Sequence, residues 1–258
     1  MKEVPMLKTL KARFQQKYRT FSYPDGPAPA LPSRFAGRPV FDGVCKDDCN
    51  ACMAACPTHA ITRPPGNTSP TLDIGRCLFC RACERTCSQD VIHFSRDYRL
   101  ASAGRQDLII DGRATDPAPA RNDIAARFFN RSFKLRQVSA GGCSACEADS
   151  NVLGTPAWDM GRFGISFVAS PRHADGLLIT GPVTDNMRLA LEKTYAAVPD
   201  PKVVIAVGAC AISGGPYADH AEQHNGAAGI VPVDLFIPGC PPHPLTILDG
   251  LLRFLGKI

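Results

Sequence analysis

The sequence predicts an α/β protein of two unlike parts, a small cysteine-rich module followed by a larger domain on a parallel sheet. Three observations predict it. Eight of the twelve cysteines fall in two compact runs, Cys45-x₃-Cys49-x₂-Cys52-x₃-Cys56 and Cys77-x₂-Cys80-x₂-Cys83-x₃-Cys87. From Phe133 onward, short apolar runs alternate with stretches of helical periodicity, as buried parallel strands and their crossover helices do. The last four cysteines, Cys143, Cys146, Cys210 and Cys240, each lie in a glycine-rich turn.

Composition limits the function classes. With 45% hydrophobic and 21% charged residues the chain has ample material for a core. No apolar run approaches the roughly 18 residues of a membrane span. A formal net charge of +5 is modest and gives no case for nucleic acid as a partner. No signal peptide or twin-arginine motif opens the chain, so a reducing, cytosolic compartment is expected and six disulfides are not.

In chain order, residues 1–44 read as a basic amphipathic helix and an extended linker. Leu7, Leu10, Phe14 and Tyr18 recur at helical spacing among Lys8, Lys11, Arg13 and Lys17. Such a helix can lie on an anionic membrane, dock on a partner subunit or pack on its own domain. Residues 22–44, rich in proline and glycine, read as the linker.

Residues 45–112 hold the two cysteine runs. Four thiolates in so short a span are the ligand set of a [4Fe-4S] cluster, and in two-cluster ferredoxins the fourth cysteine of each run ligates the other cluster. Cys45, Cys49, Cys52 and Cys87 are therefore expected to bind one cluster, and Cys77, Cys80, Cys83 and Cys56 the other. The first run carries an extra residue within Lys46-Asp47-Asp48, and the second ends in Ser88 where proline is usual; neither removes a thiolate. Zinc also takes four cysteines, but its sites pair two C-x₂-C knuckles across a longer spacer.

Residues 113–131, with Pro117 and Pro119, read as a second linker, and 132–258 as the α/β domain. Strands are predicted at Phe133–Val138, Ile165–Ala169, Leu177–Thr180, Val203–Val207 and Val233–Ile237, and helices at Asp185–Ala197 and Pro244–Leu255. Ligands of such sheets sit at the carboxyl ends of the strands. Cys143, Cys146, Cys210 and Cys240 follow three of those ends, so a third [4Fe-4S] cluster is expected there. Twelve cysteines then make three clusters with none left over. Arg162 and Arg172 are candidates for hydrogen bonds to a cluster or a partner carboxylate, or for plain salt bridges. His243, beside Cys240, is a poor ligand candidate because four thiolates are present; His59 and His93 read as ordinary histidines. No G-x-G-x-x-G fingerprint and no general acid–base pair are present, so no nucleotide site is expected.

Residues 5–100 resemble the ferredoxin-like subunits of complex I and of the membrane-bound formate hydrogenlyase group, through the basic helix, the segment from Arg34-Phe35 to Arg38-Pro39-Val40, and Gly75-Arg76-Cys77-Leu78-Phe79-Cys80. In those relatives the helix lies along the membrane surface. From Phe133 the chain resembles the small subunit of [NiFe] hydrogenases and its complex I homologue, through Gly141-Gly142-Cys143-Ser144-Ala145-Cys146-Glu147, Arg162-Phe163-Gly164, Ser170-Pro171-Arg172-His173, Gly181-Pro182-Val183-Thr184, Val207-Gly208-Ala209-Cys210 and Pro238-Gly239-Cys240-Pro241-Pro242. The complex I homologue has its first two cysteines adjacent; the C-x₂-C here is the hydrogenase form and points to the energy-converting, group 4 hydrogenases. The resemblance implies a flavodoxin-like domain and an electron-transfer subunit fusing two that are usually separate. It implies three partners: a large catalytic subunit, membrane-embedded pump-like subunits and an upstream redox donor. It also implies a peripheral place on the cytoplasmic face of the cell membrane, and Glu147 near a proton path, the alternative being a helix N-terminal carboxylate favoured by the dipole. A complex I-like quinone oxidoreductase without a nickel–iron site is the alternative.

Overall fold

The computed structural model describes residues 5–43, 45, 49–64, 70–111 and 122–258. The first part is built from short pieces: α1 (Pro5–Gln16), β1 (Pro39–Phe41), α2 (Ala51–Ala54), β2 (Ile61–Thr62), β3 (Thr71–Asp73), α3 (Ala82–Thr86), β4 (Ile92–Phe94) and β5 (Ile109–Ile110). Strands β1 and β4 pair antiparallel, and β2-β3-β5 form a second antiparallel sheet. The larger part follows with α4 (Asp123–Phe128), β6 (Phe133–Ser139), α5 (Ala145–Val152), β7 (Ile165–Phe167), β8 (Gly176–Thr180), α6 (Asp185–Ala197), β9 (Val203–Val207), α7 (Ala209–Ser213), β10 (Leu235–Ile237) and α8 (Pro244–Phe254).

Its five strands are parallel, in the order β7-β6-β8-β9-β10. In chain order that is the flavodoxin-like winding 2-1-3-4-5, with its switch point between β6 and β8. Strands β8 and β9 are buried along their whole length, as strands covered on both faces must be. Alternate side chains go to opposite faces. Leu178, Ile205 and Ile237 join α4 and α8 in one core, while Leu177, Ile179 and Val204 pack with Leu191 of α6.

At the β9–β10 side of this second face the short α7 and the cysteine-rich module provide the cover together. Ala206, Ala211, Ile212 and Phe236 share one apolar cluster with Leu72, Ile74, Leu108 and four cysteines. Ser102 extends the sheet by bridging β10: its N–H donates to Phe236 O at 3.0 Å and Phe236 N–H returns at 2.8 Å. This caps an edge that would otherwise invite pairing. Ser213 Oγ donates to Gly75 O at 3.0 Å across the same seam.

Two expectations need correction. Residues 22–44 are not a free linker. Tyr23 is buried in the α/β core and its hydroxyl donates to Asp249 at 2.5 Å, an aromatic ring with its polar end satisfied. Phe21 stacks edge-on with Trp158 at 5.0 Å, and β1 lies within the same stretch. The second linker is shorter than 113–131: Asn122 Oδ1 caps α4, accepting from Ile124 and Ala125 N–H at 3.0 Å, and Ala125 and Phe129 are core residues. Residues 113–121 lie outside the described residues. Ahead of the Tyr23 anchor, α1 ends at Gln16, short of Tyr18, and does not bury its apolar stripe on the described residues; Leu7 is 59% and Phe14 82% exposed.

The stretch between β4 and Ser102 holds a test of acid stability. Burial raises the Asp97 carboxyl, but Arg99, donating from Nε at 2.8 Å, Nη2 at 2.9 Å and its backbone N–H at 3.0 Å, and the charge of Arg38, hold it below the usual carboxylate range overall. A depressed carboxyl stabilises the fold above its unfolded pKa, and that contribution disappears as pH falls through the folded one. Asp97→Asn is therefore expected to lower stability at neutral pH and to flatten the loss as pH falls through and below the usual carboxylate range, read from urea midpoints.

Candidate metal centres

The two cysteine runs interlock. Each run places one cysteine on a single helical turn, Cys52 in α2 and Cys83 in α3, and its last cysteine beyond that helix. Cys56 and Cys87 are thereby carried across to the other run. One chamber is lined by Cys45, Cys49, Cys52 and Cys87 with Phe41, Val91 and Ile92. A second is lined by Cys56, Cys77, Cys80 and Cys83 with Leu72, Leu78 and Phe94. Among the described residues no three His, Cys, Asp or Glu side chains close on one point as a single metal ion requires; around one zinc, thiolates bound at ~2.3 Å stand within about 4 Å of each other.

The donor set and its surroundings fit a cluster. Backbone N–H groups point at sulfur: Ala60 to Cys56 at 3.2 Å, Phe79 to Cys77 at 3.3 Å and Val91 to Cys87 at 3.3 Å. Such bonds stabilise thiolate charge and tune a cluster's potential. Phe79 and Arg81, between the cysteines of the second run, hold positive φ values of 53° and 59°, a conformation that turns successive N–H groups inward. Burial pushes the Cys77 and Cys83 thiols up to about 12. Without metal they are protonated, so loading must release protons.

The dispersed set converges at the carboxyl edge of the parallel sheet. Cys143 and Cys146 flank the entry to α5 after β6, Cys210 lies in α7 after β9, and Cys240 follows β10. Ser144 takes φ 68°, the same left-handed residue in the same C-x₂-C position as Arg81. Burial, then the charges of Cys240 and Cys143, push the Cys210 thiol up to about 11. The Cys146 thiol is raised by burial and by Cys210, Glu147, Cys240 and Cys143. Gly208 sits at φ 90° where a Cβ would come within 2.5 Å of Cys146 Sγ, so no other residue fits there. Cys143 and Cys240 are exposed, which leaves this site open on one side.

The second set adjoins both others. Cys45 and Cys52 of the first run share one buried cluster with Cys77 and Cys83 of the second, and α2 packs on α3. A cavity between Leu78–Phe79 and the Pro238–His243 turn marks where the second and third sets face each other.

Other candidates find partners within the chain. Glu147, in the first turn of α5, accepts from Ser139 Oγ at 2.5 Å and Thr180 Oγ1 at 2.7 Å. Burial raises its carboxyl, but these hydroxyls and its own N–H hold it low overall. Arg162 donates to the carbonyls of Phe21 at 2.8 Å and Tyr23 at 2.5 Å, where the Tyr23 strap lies over it. Arg172 is exposed. His243 caps α8, Nδ1 accepting from Leu245 N–H at 3.1 Å, its ring against Phe35 and Trp158. His93 lies 3.4 Å from Asp42. Sequence reasoning missed Arg63, whose Nη2 donates to Cys49 O at 2.8 Å. Nothing local marks it, since the approach depends on how β2 folds back over the first run.

A family model described as NADH ubiquinone oxidoreductase, 20 kDa subunit, matches residues 143–254, and one described as a 4Fe-4S dicluster domain matches 45–91. The chain is similar to a probable membrane-bound hydrogenase subunit mbhJ of Pyrococcus furiosus, 42% identical over 51% of this chain and 79% of that protein. It is similar to formate hydrogenlyase subunit 7 of Escherichia coli, 46% identical over 50% of this chain and 51% of that one. It is similar to an NADH-quinone oxidoreductase subunit of Heliobacterium modesticaldum, 42% identical over 45% of this chain and 67% of that one.

Proposed function

The chain belongs to the family of the NADH ubiquinone oxidoreductase 20 kDa subunit, with a 4Fe-4S dicluster domain ahead of it, and on that premise we propose that it carries electrons through three [4Fe-4S] clusters in a membrane-bound, group 4 [NiFe] hydrogenase-like complex. The observation that supports this reading is the adjacency of the cysteine sets, the first two in one buried cluster and the last two on either side of one cavity. Electron tunnelling falls steeply with distance, and the shared apolar seam keeps the sets close. When bound, each cluster supplies a one-electron carrier, while the protein supplies position, burial and hydrogen bonds.

Cys45, Cys49, Cys52 and Cys87 hold the first cluster, Cys56, Cys77, Cys80 and Cys83 the second, and Cys143, Cys146, Cys210 and Cys240 the third. The open side at Cys143 and Cys240 is where a large catalytic subunit covers the third set. No helix among the described residues is long and apolar enough to cross a membrane. By its similarity to a membrane-bound hydrogenase subunit, membrane-embedded subunits complete the complex, with this chain peripheral on the cytoplasmic face and a redox donor near the first set. The similarity to an NADH-quinone oxidoreductase supports a second reading, a complex I-like quinone oxidoreductase. The C-x₂-C of Cys143 and Cys146 favours the first, and two paired C-x₂-C motifs in the large-subunit gene would decide between them.

Anaerobically purified chain is expected to be brown and to hold about twelve iron and about twelve acid-labile sulfide. Colourless protein with stoichiometric zinc would sink the electron-transfer reading.

A further inference from the structure

We propose that the cavity between the second and third cysteine sets is a water site, and that water held there by Asp149, His243 and Thr246 forms part of the electron's path from one cluster to the other. The proposal rests on the iron–sulfur reading of both sets. One wall is Leu78 and Phe79, which lie between Cys77 and Cys80; the opposite wall is the turn Pro238–His243, which carries Cys240. The volume is about 230 Å³, room for several waters at about 30 Å³ each.

The polar groups of this cavity lack partners within the protein. Thr246, in the first turn of α8, is 1% exposed, and its Oγ1 makes no hydrogen bond among the described residues. Asp149, on α5, is half-buried; burial raises its carboxyl, and no hydrogen bond or ion pair to it forms among the described residues. Burial pushes the His243 imidazole down, so it is neutral near pH 7. With Nδ1 accepting from Leu245 N–H at 3.1 Å, its proton sits on Nε2. A buried polar group left without a partner bears its full desolvation penalty, and bound water removes it. Apolar cavities stay dry, whereas one lined by a carboxyl, a hydroxyl and an imidazole N–H fills. Tunnelling decays less steeply through hydrogen-bonded atoms than across an empty gap. Between the first and second sets Cys52 and Cys83 lie in one packed apolar cluster, so the crossing that needs water is the one from the second to the third.

The test uses the full chain loaded anaerobically with iron and sulfide. A crystal structure of that loaded chain is expected to show water hydrogen-bonded to Thr246 Oγ1 and to Asp149; a dry cavity overturns the proposal. Transfer rates are then read by flash photoreduction, with each cluster's potential taken from EPR titration so that rates are compared at equal driving force. Thr246→Val and Asp149→Leu keep much of the side-chain shape and remove the polar atoms. The double variant is expected to slow transfer between the second and third clusters about tenfold and to leave the first-to-second step unchanged. Asp149→Asn loses the charge but still binds water, and is expected to stay within about threefold of wild type. An unslowed double variant overturns the proposal, and so does an Asp149→Asn chain as slow as Asp149→Leu, which would trace the effect to charge. If the double variant does not load all three clusters, Thr246→Val alone decides, and an unchanged rate in it overturns the proposal. Failure of the iron–sulfur reading itself shows earlier, as wild-type chain that binds no iron.

Discussion

Replacing Cys56 with alanine is expected to remove the cluster bound by Cys77, Cys80 and Cys83, and to spare the one bound by its own run-mates. Cys87→Ala is expected to do the reverse. The reason is the placement of each run's last cysteine past its one-turn helix, which puts Cys56 in the chamber with Cys77, Cys80 and Cys83, and Cys87 in the chamber with Cys45, Cys49 and Cys52. Removing a thiolate from a four-thiolate set leaves an iron without its ligand, so the loss is of a whole cluster: about four of about twelve iron. EPR of the reduced variants identifies which signal has gone. Loss of the Cys45-set signal in Cys56→Ala would mean that the runs do not exchange. Cys210→Ala serves as the control, expected to remove the third signal and leave both others.

Stripping iron with a chelator is expected to unfold the cysteine-rich module and leave the parallel sheet standing. The module's strands are two or three residues long and its helices α2 and α3 four and five. Isolated helices below about 12–15 residues are marginal in water, so these depend on tertiary support. That support is an apolar cluster in which Cys45, Cys52, Cys77 and Cys83 are themselves buried members. With metal bound, the cysteines cross-link the module; without it, eight thiols replace the cross-links and the free energy of metal binding is lost from folding. Hydrogen exchange is the readout. Amides of β1, β3 and β4 are expected to lose nearly all protection, while β8, β9 and α8, buried in the flavodoxin-like cores, keep theirs. A module that stays protected after iron removal would show that its seam with Ala206, Ile212 and Phe236 suffices.

Much of this architecture is legible in the sequence because its signals are local. Periodicity at Val203–Val207 and Asp185–Ala197 gives those elements with the bounds the structure has. The glycine-rich turns after three strands locate the dispersed cysteines, because a turn that admits a bulky group needs residues without a Cβ, as at Gly208. The Tyr23 strap is not legible: a proline- and glycine-rich stretch looks the same whether it hangs free or ends in a ring that fills a hole 226 residues away, and only the Asp249 carboxylate tells. The acceptors of Arg162 are illegible for the same reason, since they are backbone carbonyls that every residue carries.

The sequence by itself determined the cysteine sets, the α/β class and the family resemblance, because residue identity, spacing and period are properties of short stretches of chain. Only the tertiary structure decided that the two parts share one apolar seam, that Ser102 closes the edge of β10, and that Cys80 comes to face Cys240. It alone brought Arg63 onto the first set. These pairings join residues far apart in sequence, and what brings them together is burial of a common apolar surface, which no local pattern encodes.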